Sequence, residues 1–139
     1  MFTVIGRFSA QVFAIMRFMV GMLYAWHGTA ILWGWPKMQG MGGPKPTFIV
    51  VGGVIEVATG LLVAVGFLTG LAAFLASGTM AVAFFTFHFP HGWNPLENQG
   101  ELSVVYCFVF LFIAAHGGGI WSIDSMMRGR TRMASPTTS

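Results

Sequence analysis

The sequence predicts an all-α membrane protein: four transmembrane helices in an up-down-up-down bundle, with both termini in the cytoplasm. The 139-residue chain is 55% hydrophobic and only 8% charged, and its mean hydropathy is +0.74. Soluble domains carry about 25% charged residues, so this chain cannot cover a water-facing surface with polar groups. Its apolar residues form four stretches near the roughly 20 residues that cross a bilayer. No stretch alternates polar and apolar residues as a barrel strand would, so the spans are expected to be helices.

One transmembrane domain is expected over residues 1–124. The spans are predicted at residues 8–33, 47–68, 71–89 and 101–123. The Gly- and Pro-rich segment 37–46 separates the first two spans, the short GFLTG turn (66–70) the next two, and the polar stretch HFPHGWNPLENQGE (88–101) the last two. Such short connections favour antiparallel neighbours. Residues 125–139 are predicted to form a polar, basic cytoplasmic tail.

Basic residues predict the orientation, because lysine and arginine favour the cytoplasmic side of a membrane. Two lysines, Lys37 and Lys45, fall in the first loop. Four arginines fall on the side of the termini: Arg7, Arg128, Arg130 and Arg132. The cationic excess therefore places both termini in the cytoplasm. It does not form a stripe along the chain, so no nucleic-acid partner is expected.

Two charged residues interrupt the predicted spans, Arg17 in the first and Glu56 in the second. A charge at the centre of a transmembrane helix costs roughly 2.5–3.5 kcal/mol to insert. Gly21 and Gly28 lie on the face of Arg17, and Gly52 and Gly60 lie on the face of Glu56. Small residues allow close helix approach. We therefore expect a buried Arg17–Glu56 ion pair. It either fixes the helix register or serves a proton or substrate role through Glu56.

Metal and haem sites are not predicted. The strongest set of metal ligands is His88, His91, Glu97 and Glu101, but HxxH in a loop matches no zinc motif. His27 and His88 differ in predicted depth and His116 falls in the other half, so bis-histidine haem is not expected. Haem or pigment would have to be shared with a partner. Cys107 is the single cysteine, which excludes an internal disulfide and a CxxC pair.

Several motifs together are more informative than any one of them. In order they are Arg17, YAWHG (24–28), GP (43–44), EVATGLLVAVGFLTG (56–70), AFFTFHFPHGWNP (83–95), ENQGE (97–101) and LSVVYCFVFLFIAAHGGGIWSID (102–124). This combination resembles the DoxX family of small bacterial four-helix membrane proteins, over roughly residues 11–124. One departure is Gln99, where the family usually has glycine in an Asn-Gly-Gly-Glu turn.

The resemblance implies a function linked to quinones. The family is named after a subunit associated with a terminal quinol oxidase, and related proteins include a subunit of a thiosulfate:quinone oxidoreductase. It also implies a multi-pass protein of the bacterial inner membrane, with membrane lipids and other membrane subunits as partners. A shared fold does not by itself establish a shared reaction.

The polar stretch 88–101 then has two interpretations. His88 and Glu101 are expected to meet beneath the loop with Trp93 as a lid and His27 nearby, which would place a proton-exchanging pair and aromatic surface where a quinone head could bind. Alternatively, these residues form a structural network in which Asn98 or a neighbour caps the last helix and Glu101 favours its dipole.

We therefore expect a subunit of a membrane-bound, quinone-linked electron-transfer complex. The chain encodes no nucleotide fold, cysteine cluster or soluble catalytic domain, so it is at most a subunit of such an enzyme. The alternative is a non-catalytic accessory subunit of a larger respiratory or photosynthetic complex that fills an interface and binds lipid or pigment. A transporter would need a polar path around Arg17 and Glu56, for which four short helices offer little room.

Overall fold

Helices and turns make up the part of the chain that the structure, a computed structural model, describes, namely residues 2–40 and 42–134. The α-helices of this part are α1 (Phe2–Gly6), α2 (Ser9–Trp33), α3 (Thr47–Val65), α4 (Thr69–Ala83), α5 (Glu101–His116) and α6 (Ile123–Ala134). A π-helical turn (Phe84–His88) and a 3-10 turn (Phe89–His91) continue α4. Because the described residues contain no strand, the predicted all-helical class is confirmed.

Within residues 2–40 and 42–134, three helical segments are long and apolar enough to cross a membrane: Ser9–Trp33, Thr47–Val65 and Thr69–His91. Helix α5 is apolar but has only 16 residues. It was predicted to continue to residue 123, and it ends instead at His116. A run of glycines follows, and Gly117 and Gly119 adopt φ angles of 86° and 67°, a left-handed region that favours glycine.

Helix α3 also ends earlier than predicted, at Val65 rather than residue 68. Gly66 follows with a φ of 70°. Its backbone N–H donates to the Val63 carbonyl at 3.1 Å, and the N–H of Phe67 donates to the Leu62 carbonyl at 2.9 Å. This pair of bonds is a Schellman motif, which satisfies carbonyls left free at a helix end. It leaves only a short turn before α4 begins at Thr69.

Helices α2 and α3 pack closely because glycines face each other along their contact. A Cβ atom built on Gly21 would lie 2.6 Å from the Gly60 carbonyl oxygen, and one on Gly28 would lie 2.7 Å from the Gly53 carbonyl oxygen. Such backbone contacts are typical of membrane helices with small interfacial residues. Gly52, in contrast, faces open space. The contacts set an antiparallel register in which residue 21 lies opposite residue 60, and residue 28 opposite residue 53.

The core is centred on Tyr24 of α2, which is fully buried. Its ring packs edge-to-face on Phe110 of α5 with ring centroids 4.7 Å apart. Helices α4 and α5 are joined through Ser77, whose hydroxyl donates to the Cys107 carbonyl at 2.7 Å. Further members of this core come from every long helix: Phe13, Val63, Ala72, Ala73, Ala76, Met80 and Ile113.

The outside of the helices is strongly apolar. Large exposed side chains include Phe18, Val51, Leu71, Phe74, Phe108 and Phe112. Water-soluble proteins rarely expose contiguous apolar surfaces of this kind, whereas a lipid-facing surface requires them. The helices therefore define a multi-pass membrane protein in contact with lipid.

Two ends of the bundle are used as landmarks below. The loop end carries segment 37–46 and the turn 92–100. The terminal end carries the start of α2, the turn between α3 and α4, and the start of α6. Helix α6 (Ile123–Ala134) lies at this end and includes residues 125–134 of the predicted polar tail. Positions 135–139 of that tail lie outside the described residues.

Candidate functional site

A cavity of about 860 Å³ lies in the loop-end half of the bundle, between α3, α4 and α5. Small-molecule sites in proteins span about 300–1,000 Å³ and are mostly apolar with a few polar groups. The polar residues on its wall are His27, Gln39, Glu56, Thr79, His88, Gln99, Ser103 and Tyr106. Its rim includes the exposed side chains Val51, Phe74 and Val82, so the cavity opens sideways between α3 and α4.

A hydrogen-bonded pair of ionisable residues forms part of this wall. Nδ1 of His27 lies 2.7 Å from Oε2 of Glu56, and the Glu56 side chain is almost fully buried. A carboxylate only accepts hydrogen bonds, so the histidine donates from Nδ1. The short distance is typical of charge-assisted bonds. The other ring nitrogen of His27, Nε2, is then available to exchange a proton beside the cavity.

The predicted Arg17–Glu56 ion pair is wrong. Arg17 is buried and donates instead to the carbonyls of Val63 at 2.7 Å, Ala64 at 2.5 Å and Trp121 at 2.8 Å. The physical reason is helix register: Arg17 lies opposite Ala64, and Glu56 is eight residues earlier on α3. Eight helical residues span roughly 12 Å, which is too far for a direct pair. Arg17 thus acts as a cationic cap on the C-terminus of α3.

His88 reaches the cavity from the π-helical turn Phe84–His88. Nδ1 of His88 lies 3.2 Å from the Asn98 carbonyl oxygen. A carbonyl only accepts, so Nδ1 carries the hydrogen and Nε2 is the acceptor of the neutral ring. A π-helical turn contains one residue more than the equivalent α-helical turn, and such insertions are frequent at functional sites. The turn therefore changes the direction in which the end of this helix presents its side chains.

Trp93 and Glu101 occupy different positions from those expected. Trp93 is 77% exposed and does not cover the cavity. Glu101 lies in the first turn of α5 beside a separate shallow depression formed with Pro95, Leu96 and Val105. The predicted His88–Glu101 contact is absent from the ion pairs and hydrogen bonds of the described residues. Of the predicted quinone-site residues, the structure places His27 and His88 on one cavity.

The turn 92–100 is organised by Asn98, which is buried. Its side-chain amide donates to the Gly92 carbonyl at 2.7 Å, and its side-chain oxygen accepts from the Gly100 N–H at 2.8 Å. Gln99 between them has a φ of 60°, in the left-handed region. The structural network expected here therefore exists, but Asn98 braces the loop before α5 and does not cap the helix with its side chain.

In the described part of the chain, the candidate metal ligands are not assembled into one site. Among the described residues, no three His, Cys, Asp or Glu side chains are close enough to hold a metal ion, so the set of His88, His91, Glu97 and Glu101 is not assembled. His91 bonds the Phe87 carbonyl. His116 stacks on Phe13 at the terminal end, with ring centroids 3.9 Å apart, far along the bundle from the cavity.

Among the polar cavity residues that the sequence analysis missed, three lie on helices: Thr79, Ser103 and Tyr106. Each is an isolated polar residue in an apolar helix, which a sequence alone does not separate from a side chain bonded to its own backbone. Thr79 does make such a bond, from its hydroxyl to the Leu75 carbonyl at 2.8 Å. Tyr106 stacks on Phe110 with ring centroids 5.7 Å apart.

The terminal end contains a second polar cluster that was not predicted. The carboxylate of Asp124 accepts hydrogen bonds from the Leu68 N–H at 2.9 Å, the Thr69 N–H at 3.0 Å and the Thr69 hydroxyl at 2.6 Å. Burial alone would raise the pKa of Asp124, but these bonds and the nearby Arg128 outweigh burial and hold the pKa below its ordinary value. Asp124 therefore fastens the start of α6 to the start of α4.

These features define a class: a multi-pass α-helical membrane protein with a polar pair inside a laterally open cavity. The DoxX family model matches residues 12–89, more than half of the chain, and the chain belongs to this family. It is 32% identical over 124 residues to an uncharacterized protein of Haemophilus influenzae, covering 86% of this chain and 92% of the relative. No solved structure matches the chain.

Proposed function

We propose that this protein is a membrane subunit of a bacterial quinone-linked oxidoreductase and that it binds a quinone head in the cavity. The observation that carries the proposal is the His27–Glu56 pair, 2.7 Å apart, on the wall of an apolar cavity that also contains His88. A quinone is an aromatic ring with two carbonyl oxygens and an apolar tail. The cavity offers apolar walls for the ring, polar groups for the oxygens and a side opening for the tail.

Protonation is the chemistry that these residues supply. When a quinone is reduced, its ring takes two electrons and its two carbonyl oxygens take two protons. His27 with Glu56, and His88, are proton-exchanging groups on one cavity wall. The electrons come from a redox-active partner subunit. The family membership supports the membrane setting of this proposal.

Direct binding tests the cavity. The purified protein is titrated with a short-chain quinone in mild detergent, and quenching of tryptophan fluorescence is measured. Glu56→Gln and His88→Ala should each weaken binding about ten-fold or more, because an unmatched polar oxygen costs about 1–3 kcal/mol. Glu101→Gln, which lies outside the cavity, is the matched control and should bind like the parent.

A filling variant tests the same cavity by shape. Gly78 lines it, and a Cβ atom built there meets no atom within 4 Å. Gly78→Phe should therefore abolish quinone binding without lowering thermal stability. The proposal would be contradicted if Gly78→Phe and Glu56→Gln bound quinone as tightly as the parent and the purified complex lacked any redox subunit. That result would favour the accessory subunit.

The membrane arrangement is also part of the proposal: four spans, with α5 as the shortest, in the bacterial inner membrane and with the terminal end in the cytoplasm. The arginines at that end support it. Single cysteines at Gly129 and at Glu97, in a Cys107→Ser background, test it in intact cells. The Glu97 cysteine should react with an impermeant thiol reagent and the Gly129 cysteine should not; the reverse labelling would overturn this orientation.

A further inference from the structure

Helix α6 is amphipathic and its apolar side is uncovered. Its exposed apolar residues are Ile123, Met126, Met127 and Met133. At 100° per residue these four fall within one contiguous arc of roughly 120° on the helix. Arg128 and Arg132, four residues apart, lie together on the opposite side. Arg130 falls within the apolar arc, where a long side chain can extend its guanidinium to the edge of the helix.

The position of α6 is fixed at its first turn. The carboxylate of Asp124 accepts two backbone hydrogen bonds at the start of α4, and its own N–H donates to the Gly66 carbonyl at 2.9 Å. The turn between α3 and α4 joins two membrane-spanning segments, so it lies at a membrane surface. Helix α6 therefore starts at the level of the lipid head groups, with its apolar residues facing away from the bundle.

We propose that α6 lies in the plane of the membrane surface and binds anionic phospholipid head groups. Its apolar arc enters the boundary between head groups and acyl chains, as interfacial amphipathic helices do. Arg128, Arg130 and Arg132 bind the phosphates, because guanidinium matches phosphate oxygens in geometry and charge. Trp121, 66% exposed just before the helix, extends the same surface with a side chain that favours the interface. The proposal is independent of the quinone cavity at the loop end.

Charge complementarity selects lipid rather than a protein as the occupant. The described cations of the terminal end, apart from the buried Arg17, are Arg7, Arg128, Arg130 and Arg132, and the acidic residue there is Asp124, which is already bonded to α4. The methionines of this surface fit the apolar boundary of a bilayer, and its arginines fit anionic head groups.

Lipid retention tests the head-group preference. The full-length protein is reconstituted in vesicles of equal parts phosphatidylglycerol and phosphatidylcholine, extracted in mild detergent, and its retained lipid is quantified by mass spectrometry. The parent should retain phosphatidylglycerol preferentially. The triple variant R128Q/R130Q/R132Q should lower that preference about five-fold or more, because a single surface arginine already contributes about that factor. The matched control K37Q/K45Q removes two cations from the loop end and should retain the parent's preference.

Spin labels test the geometry. Met127→Cys and Gly129→Cys, each in a Cys107→Ser background, place labels on opposite sides of α6. In nanodiscs of the same composition, the Met127 label should be accessible to oxygen and shielded from a water-soluble nickel reagent, and the Gly129 label the reverse. Equal nickel access at both positions, or equal loss of phosphatidylglycerol preference in the triple variant and the lysine control, would overturn the proposal.

Discussion

Nδ1 of His27 on α2 and Oε2 of Glu56 on α3 are 2.7 Å apart. Glycines bring these two helices into close contact. This relationship follows from register. With Gly28 opposite Gly53 and Gly21 opposite Gly60, residue 27 lies opposite residue 54, about 3 Å along the helix from residue 56 and within side-chain reach of it. Residue 17 lies opposite residue 64, at the C-terminus of α3. One geometric fact thus decides both the partner of Glu56 and the role of Arg17.

A double-mutant cycle should detect this partnership. His27→Gln and Glu56→Gln should be non-additive, with a coupling of about 0.5–3 kcal/mol, because the residues are in contact. The free-energy changes of Arg17→Gln and Glu56→Gln should be additive, because the two side chains are not in contact. Unfolding of the purified protein in detergent measures each free energy. Coupling between Arg17 and Glu56, with none between His27 and Glu56, would contradict the structure.

Arg17 should be more sensitive to its geometry than to its charge. Arg17→Met removes donors from three backbone carbonyls and should lower the free energy of unfolding by about 3 kcal/mol or more. Arg17→Lys keeps the charge but replaces the planar fork with a single ammonium, so it should restore only part of that stability. Thermal unfolding compares the two. Full restoration by lysine would mean that the hydrogen-bond geometry contributes nothing.

Two glycines of α3, one at the contact with α2 and one facing open space, should respond differently to replacement by alanine. Gly60→Ala places a Cβ atom 2.8 Å from the backbone of Ala25 and should destabilise the protein by about 1–3 kcal/mol, because the helices must move apart. Gly52→Ala meets open space and should be neutral or stabilise the helix by up to about 1 kcal/mol. Thermal unfolding of both variants tests this; equal effects would mean that α2 and α3 do not touch at Gly60.

Acid should release the fastening of α6. The pKa of Asp124 is lower folded than its ordinary value of 3.8, so its stabilisation is present above pH 3.8 and is lost as pH falls through the lower, folded value. Asp124→Asn should therefore be less stable than the parent at neutral pH, and the difference should shrink as pH falls below 3.8. Unfolding measured at about pH 7, 4 and 3 checks the sign. A difference that grew towards acid would contradict it.

Gln99 should be a strained position. Its φ of 60° belongs to a region where glycine is at ease and other residues cost about 1–2 kcal/mol. Gln99→Gly should therefore raise thermal stability, or leave it unchanged where the added freedom of the unfolded chain offsets the relief. Gln99→Val, β-branched and worse in this region, should lower it. A stabilising valine would show that the turn has another conformation.

The sequence was sufficient for the class of fold and for the importance of particular residues. Apolar stretches located α2, α3 and α4, and Arg17 and Glu56 were recognised as unusual. Their partners were assigned by matching opposite charges at similar predicted depth, and that step failed. Depth counted from span boundaries carries an error of a few residues, while a side-chain pair requires the register set by glycine contacts. Aligning Gly28 with Gly53 would have placed His27 opposite residue 54, within one helical turn of Glu56, and Arg17 opposite residue 64.

The loop-end site was harder to predict from the sequence, for a different reason. Whether His88 meets Glu101 depends on the π-helical turn at Phe84–His88 and on the hydrogen bonds of Asn98 within the turn 92–100. Apolar periodicity carries no signal for an inserted residue in a helix. His88 was therefore selected correctly as a residue near the site, while Trp93 and Glu101 were grouped with it through proximity in sequence alone.

Because the cavity opens sideways between α3 and α4, the concentration that governs its occupancy is the one in the bilayer and not the one in water. A molecule that enters there arrives by two-dimensional diffusion within the bilayer, so its relevant concentration is its mole fraction among lipids rather than its amount in water. Strongly apolar molecules are enriched in that phase before they reach the protein. For the proposed quinone, modest contacts with His27, Glu56 and His88 would then be enough for high occupancy. Selectivity would depend on these few polar groups rather than on the apolar wall.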